Sequence, residues 1–198
     1  MKPPRIGIID SGVYAAHPHV VSVAGGVAFR ADGSESDDYV DRLGHGTAVT
    51  AVIREKAPDA EVYCVKVFEE RLTTNIETLL HAIRWCAKQR MALINLSLGT
   101  ANRDHAGQLQ ELLDEAAESG SRIVSAVGWL PGDLVGSVPV DVDWTCPRNE
   151  FLTEVRDGRT IYLASGYPRP RPGVPVERNL KGISFAVANV TGLLARAL

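Results

Sequence analysis

The sequence predicts an α/β fold, in which a mostly parallel central sheet carries helices on both faces. Short apolar runs alternate with stretches of helical periodicity from one end of the chain to the other. Several of these runs end directly in glycine or in a polar turn, as buried strands do. Strands that alternate with helices form parallel sheets, because the chain must cross over the sheet before it can begin the next parallel strand.

Five apolar runs are predicted to be strands. The first spans residues 5–9 and leads into Asp10-Ser11-Gly12. The others span residues 61–67, 92–98, 122–127 and 160–164. Gly99 follows the third run and Gly128 follows the fourth. Functional side chains in parallel sheets gather at the carboxyl ends of strands, so we expect a site where these runs end.

Two helices are predicted on either side of the second strand. One begins near His45 and continues through residues 49–53. The other has apolar residues at helical spacing from Ile76 onward. Thr74 and Glu77 form the S/T-x-x-E pattern of a capping box at its start. Such a box satisfies backbone amides that have no partner inside the helix.

Two more helices are predicted in the second half of the chain. A leucine-rich stripe over residues 109–117 ends at Gly120, which suits the position after a helix. Residues 185–198 form an apolar helix of small residues, opened by Ser184. This last segment has few charges, which indicates that it is buried on most sides.

Composition limits the classes of protein to consider. The 198 residues are 45% hydrophobic and 23% charged, which is typical of one globular domain spanning residues 1–198. The net charge of -3 and the lack of a basic run argue against nucleic-acid binding, and no apolar stretch is long enough to span a membrane. Three cysteines without C-x-x-C spacing, and no signal peptide or prodomain at the start, favour a cytoplasmic location.

Three residues in three glycine-bearing motifs carry the chemistry. Asp10, His45 and Ser184 offer a carboxylate, an imidazole and a hydroxyl, which are the groups that a nucleophilic serine requires. Taken singly, each has an ordinary explanation: Asp10 as a turn residue, His45 as the start of a helix, and Ser184 as a helix cap. The combination favours catalysis.

The motifs resemble those of the subtilisin-like serine proteases, or subtilases (peptidase family S8). The matching segments are residues 9–13 with His17-Pro18, residues 44–49, residues 94–99 and residues 182–186. The order Asp, His, Ser is the order in subtilisin. The resemblance covers the chain from about residue 5 to its end, and it implies the family's three-layer architecture.

The resemblance also implies roles for individual residues. Ser184 would be the nucleophile, His45 the general base and then the general acid, and Asp10 the group that orients His45. Backbone amides beside Ser184 would help to hold an oxyanion. The substrate-binding residues implied are Ser97, Leu98, Gly99, Gly128 and Trp129.

The chain departs from the family pattern near the oxyanion. Trp129 stands where the family places an asparagine whose side chain donates to the oxyanion. Its indole is interpreted either as a displaced donor or as an aromatic ring that fills the mouth of the pocket. The candidate substitute donors are Asn102, Asn149 and Asn179. In the serine motif, Ile183 replaces a threonine and Ala188-Asn189 replaces a Pro-His pair.

Other features bear on partners and specificity. The chain ends directly after the serine-bearing helix, so an apolar surface would remain for a protein partner or for a second copy. Residues 167–175 are proline-rich and read as a connecting loop or as the border of a substrate groove. Residues 34–38 are acidic and read as a solvated loop or a cation site. Asp41, Glu69 and Glu70 would favour basic residues in a peptide substrate.

The leading hypothesis is a compact intracellular serine endopeptidase that acts on a dedicated peptide or protein, with no cofactor and no metal. One alternative is a catalytically impaired subtilase-like domain that binds peptides or scaffolds a complex. A weaker alternative is a transferase or ligase that uses the same acyl-enzyme chemistry.

Overall fold

A computed structural model describes residues 2–198, and over these residues the chain forms a sheet of nine strands. The strands are β1 (Arg5–Asp10), β2 (Gly25–Phe29), β3 (Glu35–Ser36), β4 (Glu61–Lys66), β5 (Leu93–Leu96), β6 (Arg122–Ala126), β7 (Val138–Val142), β8 (Phe151–Arg156) and β9 (Arg159–Ala164). Their order across the sheet is β3-β2-β4-β1-β5-β6-β7-β9-β8. The seven central strands are parallel, and β3 and β8 pair antiparallel at the two edges.

Four α-helices cover the described sheet, two on each face. They are α1 (His45–Lys56), α2 (Ile76–Lys88), α3 (Ala106–Glu118) and α4 (Ile183–Arg196). Helices α1 and α4 share one apolar core with the face of β1 that carries Ile6 and Ile8. Helices α2 and α3 share the other core with Ile9 and Ile94. The predicted α/β fold, with a mostly parallel sheet and helices on both faces, is confirmed.

Four strands have no counterpart in the sequence prediction. Strand β2 begins with two glycines and β3 has two residues, so neither presents an apolar run. Strand β7 contains Pro139, which ordinarily argues against a strand inside a sheet. Strand β8 is the exposed half of a hairpin that turns at Asp157-Gly158, and its side chains are mostly in solvent.

Two predicted helix starts are wrong. Helix α2 is capped by Asn75, whose side-chain oxygen accepts a hydrogen bond from the Thr78 amide at 2.8 Å, rather than by Thr74 and Glu77. Asn75 is one of the preferred capping residues, and it lies one position nearer to the apolar stripe. Helix α4 begins at Ile183 after Gly182, so Ser184 lies inside the first turn and does not cap the helix.

Candidate active site

Asp10 is the last residue of β1, and its side chain is 1% exposed. Its Oδ1 accepts hydrogen bonds from the Ser11 amide at 2.8 Å and from His45 Nδ1 at 2.7 Å. Its Oδ2 is buried without a hydrogen-bond partner among residues 2–198. Both hydrogen bonds to this carboxylate therefore fall on the oxygen that faces His45.

His45 is the first residue of α1, and its ring lies between Asp10 and Phe185. The centres of the His45 and Phe185 rings are 5.9 Å apart. Burial opposes protonation of the imidazole, but the hydrogen bond that it donates to Asp10 and the charges of Asp10 and Asp41 outweigh this effect and raise the pKa of His45. An imidazole bound through Nδ1 to a carboxylate has Nε2 free to accept a proton.

A network of hydrogen bonds joins the aspartate motif to the start of α1. Ser11 Oγ donates to Asp41 Oδ1 at 2.9 Å and accepts from the Gly46 amide at 2.9 Å. Asp41 Oδ2 accepts from the Thr47 amide at 2.8 Å and from Thr47 Oγ1 at 2.6 Å. The Leu43 and Gly44 amides also donate to Asp41 Oδ1.

This network holds His45 in position, and Asp41 accepts most of its hydrogen bonds. The network fixes the first turn of α1 against the end of β1, where Asp10 lies. Internal donors occupy the Asp41 carboxylate, so it has little capacity to bind a substrate side chain directly, and its preference for basic substrate residues stays a prediction. Ser11 and Asp41 thus position the first turn of α1, a role that the sequence did not indicate for either residue, although Ser11 directly follows the strand end where a site was expected.

Ser184 is the second residue of α4, and it lies against the end of β5 rather than against His45. Its Oγ donates to the Ser97 carbonyl at 3.4 Å, and Ser97 Oγ donates to the Ser184 carbonyl at 3.4 Å. No hydrogen bond joins Ser184 Oγ to His45 within residues 2–198, although both side chains line the same cavity. In this conformation the Ser184 hydroxyl is therefore not hydrogen-bonded for proton transfer to His45.

One cavity of about 320 Å³ brings most of the predicted residues together. It is lined by His45, Phe68, Leu72, Ser97, Leu98, Gly99, Ala126, Trp129, Ile183 and Ser184. Asp10 lies behind His45 and outside the lining. Gly128 is also outside the lining, and its amide donates to Asp133 Oδ1. Phe68 and Leu72, which sequence reasoning missed, follow the carboxyl end of β4, and the rule that located the other strand ends would have found them.

Trp129 lies at the mouth of this cavity and is 49% exposed. None of the three candidate substitute donors lines the cavity. Asn102 caps a short turn at Arg103–His105, Asn179 donates to the Arg169 carbonyl, and Asn149 lies in an exposed turn. The side chains that offer N–H donors inside the cavity are therefore those of His45 and Trp129.

The backbone supplies a further donor. Ser184 occupies the first turn of α4, where amides have no acceptor within the helix. Its amide has no hydrogen-bond acceptor elsewhere in residues 2–198. It is consequently free to donate to a negatively charged oxygen in the cavity, where the positive end of the helix dipole acts in the same direction.

Asn189 replaces the usual histidine of the serine motif and anchors α4. It is fully buried, and its Nδ2 donates to the Ser165 carbonyl at 2.9 Å and to the Tyr167 carbonyl at 3.2 Å. The Gly182 amide donates to the Gly166 carbonyl at 2.9 Å. The segment between Gly166 and Gly182 is thus a loop whose two ends are hydrogen-bonded together close to Ser184 in the chain.

Two classes of site do not occur over residues 2–198. No group of three or more His, Cys, Asp or Glu side chains is arranged so that it could hold a metal ion. No helix in this part of the chain combines the length and the apolar character that crossing a bilayer requires.

Comparisons of the sequence with known proteins identify its family. The sequence model of the subtilase family matches residues 2–136. Subtilisin E of Bacillus subtilis (strain 168) is 32% identical over 202 residues, which cover 96% of this chain and 51% of that protein. Subtilisin of Bacillus pumilus is 31% identical over 96% of this chain and 71% of that protein. The minor extracellular protease Epr of Bacillus subtilis (strain 168) is 34% identical over 63% of this chain and 20% of that protein. The chain spans about half the length of most of these relatives or less.

Proposed function

This chain belongs to the subtilase family, and we propose that it is a serine endopeptidase that cleaves a peptide or protein through an acyl-enzyme. The observation that carries the proposal is the 2.7 Å hydrogen bond between Asp10 and His45. His45 is the first residue of α1, and it lines the same cavity as Ser184. In this proposal, Asp10 holds the imidazole in the tautomer that leaves Nε2 unprotonated.

The proposed reaction has two halves. Ser184 Oγ gives its proton to His45 Nε2 as it attacks the scissile carbonyl carbon, whose electron pair moves onto the carbonyl oxygen. The C–N bond then breaks, and the proton on His45 passes to the leaving amine. In the second half, water gives a proton to His45 and attacks the acyl carbon, which releases the acid and restores the Ser184 hydroxyl.

Stabilisation of the oxyanion is expected to limit the rate. The Ser184 amide is the donor best suited to this role, because it has no other acceptor. Loss of the corresponding asparagine costs subtilisin about 10²–10³ in turnover. With Trp129 in that place, we expect a slow protease rather than a vigorous one.

A fluorophosphonate probe tests the proposal, because it reacts covalently with an activated serine hydroxyl. We expect the wild-type protein to be labelled, Ser184→Ala to be unlabelled and His45→Ala to be labelled far more slowly. The matched control is Ser36→Ala, since the Ser36 hydroxyl has no hydrogen-bond partner and lies outside the cavity. Labelling that survives in Ser184→Ala would contradict the proposal.

The second candidate is a peptide-binding domain with impaired catalysis. It is favoured by two observations: Ser184 Oγ is bonded to the Ser97 carbonyl rather than to His45, and Trp129 replaces the oxyanion asparagine. This candidate predicts that folded wild-type protein resists the probe. It also predicts that wild type and Ser184→Ala bind a peptide library with equal affinities.

A further inference from the structure

A second and larger cleft lies beside α1, and its lining includes Gly44 and Thr47, close neighbours of His45 in the chain. Its volume is about 760 Å³. It is formed by the loop that follows β1, by the start of α1 and by the loop between Gly166 and Gly182. We call it the basic cleft after five of its lining residues, which are His17, His19, Arg42, Arg169 and Arg171. The cavity that contains His45 and Ser184 is called the catalytic cavity.

The positive charge of the basic cleft is only partly balanced by the carboxylates of Asp38 and Asp41. Arg42 pairs with Asp38 at 2.9 Å, but Arg169 Nη1 meets only the His19 carbonyl, at 3.5 Å. The Arg171 side chain has no hydrogen-bond or ion-pair partner among residues 2–198, and the residue is exposed. Asp41 is the one carboxylate among the lining residues, and Ser11, Thr47 and neighbouring amides already occupy it. An anion in this cleft would therefore find unpaired guanidinium groups.

The histidines report the same excess of positive charge. The rings of His17 and His19 meet edge to face with centres 5.1 Å apart, and the His19 amide donates to His17 Nδ1. Burial lowers the pKa of His19, and the charges of Arg169, His17 and Arg171 lower it further against a smaller opposing effect of Glu55. A bound carboxylate would reverse the arginine effect and favour protonation of His19.

The rim of the cleft suits a peptide rather than a small free ion. Tyr14, Leu43 and Leu180 line it with exposed apolar surface, and their exposed fractions are 54%, 37% and 56%. A volume above 700 Å³ holds several side chains. Apolar contacts would bind the body of such a segment, and the arginines would select its charged groups.

The position of the cleft indicates which part of a substrate it meets. The catalytic cavity contains Ser97, Leu98 and Gly99, the segment that resembles the wall of the acyl-side specificity pocket. His45 lines this cavity, whereas its neighbours Gly44 and Thr47 line the basic cleft. The leaving amine receives its proton from His45, so the chain beyond the scissile bond runs past the histidine toward this side.

We propose that the basic cleft binds carboxylate groups in the leaving segment of the substrate, on the carboxyl side of the scissile bond. The inference rests on the proposed endopeptidase function and names the substrate class for it. Acidic side chains and a terminal carboxylate share this chemistry, and the experiment separates them.

The test compares three peptides with one acyl side and different leaving segments. One segment has Asp and Glu side chains with an amidated end, one has neutral side chains with a free carboxylate, and one is neutral and amidated. We expect kcat/KM to be highest for one or both of the carboxylate-bearing peptides. Arg171→Gln and Arg169→Gln should each reduce that preference by about two- to fivefold, as expected for exposed charge pairs. The preference should also fall as salt is added.

The matched control is Arg122→Gln, at the amino end of β6 and outside the basic cleft. Arg122 is exposed, and its side chain has no hydrogen-bond or ion-pair partner among residues 2–198. It should leave the preference unchanged. A changed preference in Arg171→Gln would not reflect misfolding, because the Arg171 side chain makes no hydrogen bond or ion pair within residues 2–198 that the fold could lose.

A binding measurement separates failure of this inference from failure of the proposed function. Leaving-segment peptides with a fluorophore are titrated into Ser184→Ala, and anisotropy gives the affinity. Equal cleavage and equal affinity for all three segments would overturn the inference and leave the endopeptidase standing. No cleavage of any peptide, together with Arg171-dependent binding of the acidic segment, would overturn the endopeptidase and support the cleft as a carboxylate site.

Discussion

Gly46 lies so close to Gly12 that a β-carbon on Gly46 would come 2.2 Å from the Gly12 carbonyl oxygen. Gly46 belongs to the first turn of α1, and Gly12 to the turn that follows β1. The same β-carbon would also lie 3.2 Å from Cβ of Asp10. The absence of a side chain at Gly46 is what lets the histidine helix reach the aspartate strand.

Gly46→Ala should therefore separate His45 from Asp10. We expect a loss of about 1–3 kcal/mol in the free energy of unfolding, since backbone has to move to admit the methyl group. Fluorophosphonate labelling should slow in parallel. Chemical denaturation and labelling rates measure the two effects. Gly107→Ala is the control, because a β-carbon there meets nothing within 4 Å and replaces a helical glycine. An unchanged Gly46→Ala protein would contradict the argument.

Asp41→Asn should destabilise the start of α1. The asparagine amide cannot accept hydrogen bonds at both positions, so donors from Thr47 or Ser11 lose their partner, at a cost of about 1–3 kcal/mol. Urea denaturation measures this loss. Asp157→Asn is the matched control, since Asp157 lies exposed in a hairpin turn with a positive φ that asparagine tolerates. Equal stabilities of the two variants would refute the assigned role.

The same network predicts a pH dependence of stability. Burial alone would raise the pKa of Asp41, but hydrogen bonds from Thr47, Gly44 and Leu43 outweigh it and lower the pKa. A carboxylate with a lowered folded-state pKa stabilises the protein above its unfolded value, and this contribution is lost as pH falls through the folded value. Stability should therefore decline on acidification below about pH 4. Asp41→Asn should decline less steeply than wild type.

The raised pKa of His45 predicts the acid limb of activity. Labelling needs neutral His45, so its rate should rise with pH through an apparent pKa above the ordinary histidine value of about 6.5. The stability that the Asp10–His45 pair adds has the opposite sense: it is present below the ordinary value and is lost as pH rises through the raised one. An acid limb with an apparent pKa at or below 6.5 would contradict the assignment to His45.

Asp10→Asn should reduce turnover by about 10⁴-fold.

Trp129→Asn should increase activity. The substitution offers a side-chain amide donor where the family has one, and it removes a half-exposed ring at little cost to the fold. We expect turnover to rise by about 10²-fold, which is the size of the loss when subtilisin is deprived of this donor. Trp129→Ala separates the two effects, since it opens the cavity without adding a donor. If Trp129→Ala is equally activated, the ring blocks substrate and no donor is lacking.

Asn75→Ala and Thr74→Ala compare the observed helix cap with the predicted one. Removing Asn75 deprives the Thr78 amide of its acceptor, and we expect a loss of about 1 kcal/mol in the free energy of unfolding. Thr74→Ala should change stability by less than half of that, because the Thr74 side chain makes no hydrogen bond among residues 2–198. Thermal unfolding of the pair decides, and a larger effect at Thr74 would restore the capping-box interpretation.

The sequence was most informative where local chemistry determines the outcome. Apolar runs located the buried strands, because burial on both faces leaves little room for polar residues. Strand β8 escaped notice since an exposed edge strand has no such pattern. Motif residues Asp10 and His45 were expected to act together, and the structure joins them. The positioning role of Asp41 was missed because nothing in its neighbours along the chain reveals that Ser11, 30 residues away, donates to it.

The loop closed by the Gly182–Gly166 hydrogen bond has a consequence for how specificity can change. Asn189 of α4 donates hydrogen bonds to the carbonyls of Ser165 and Tyr167 at the start of this loop. Arg169 and Arg171 lie farther along the loop. The entropy of closing such a loop rises only slowly with its length. We therefore expect the loop to tolerate replacement, shortening or extension of its residues. The helix that carries Ser184 would keep its hydrogen bonds to the ends of the loop. Under the proposed function, replacing this loop would change the substrate preference without altering the helix.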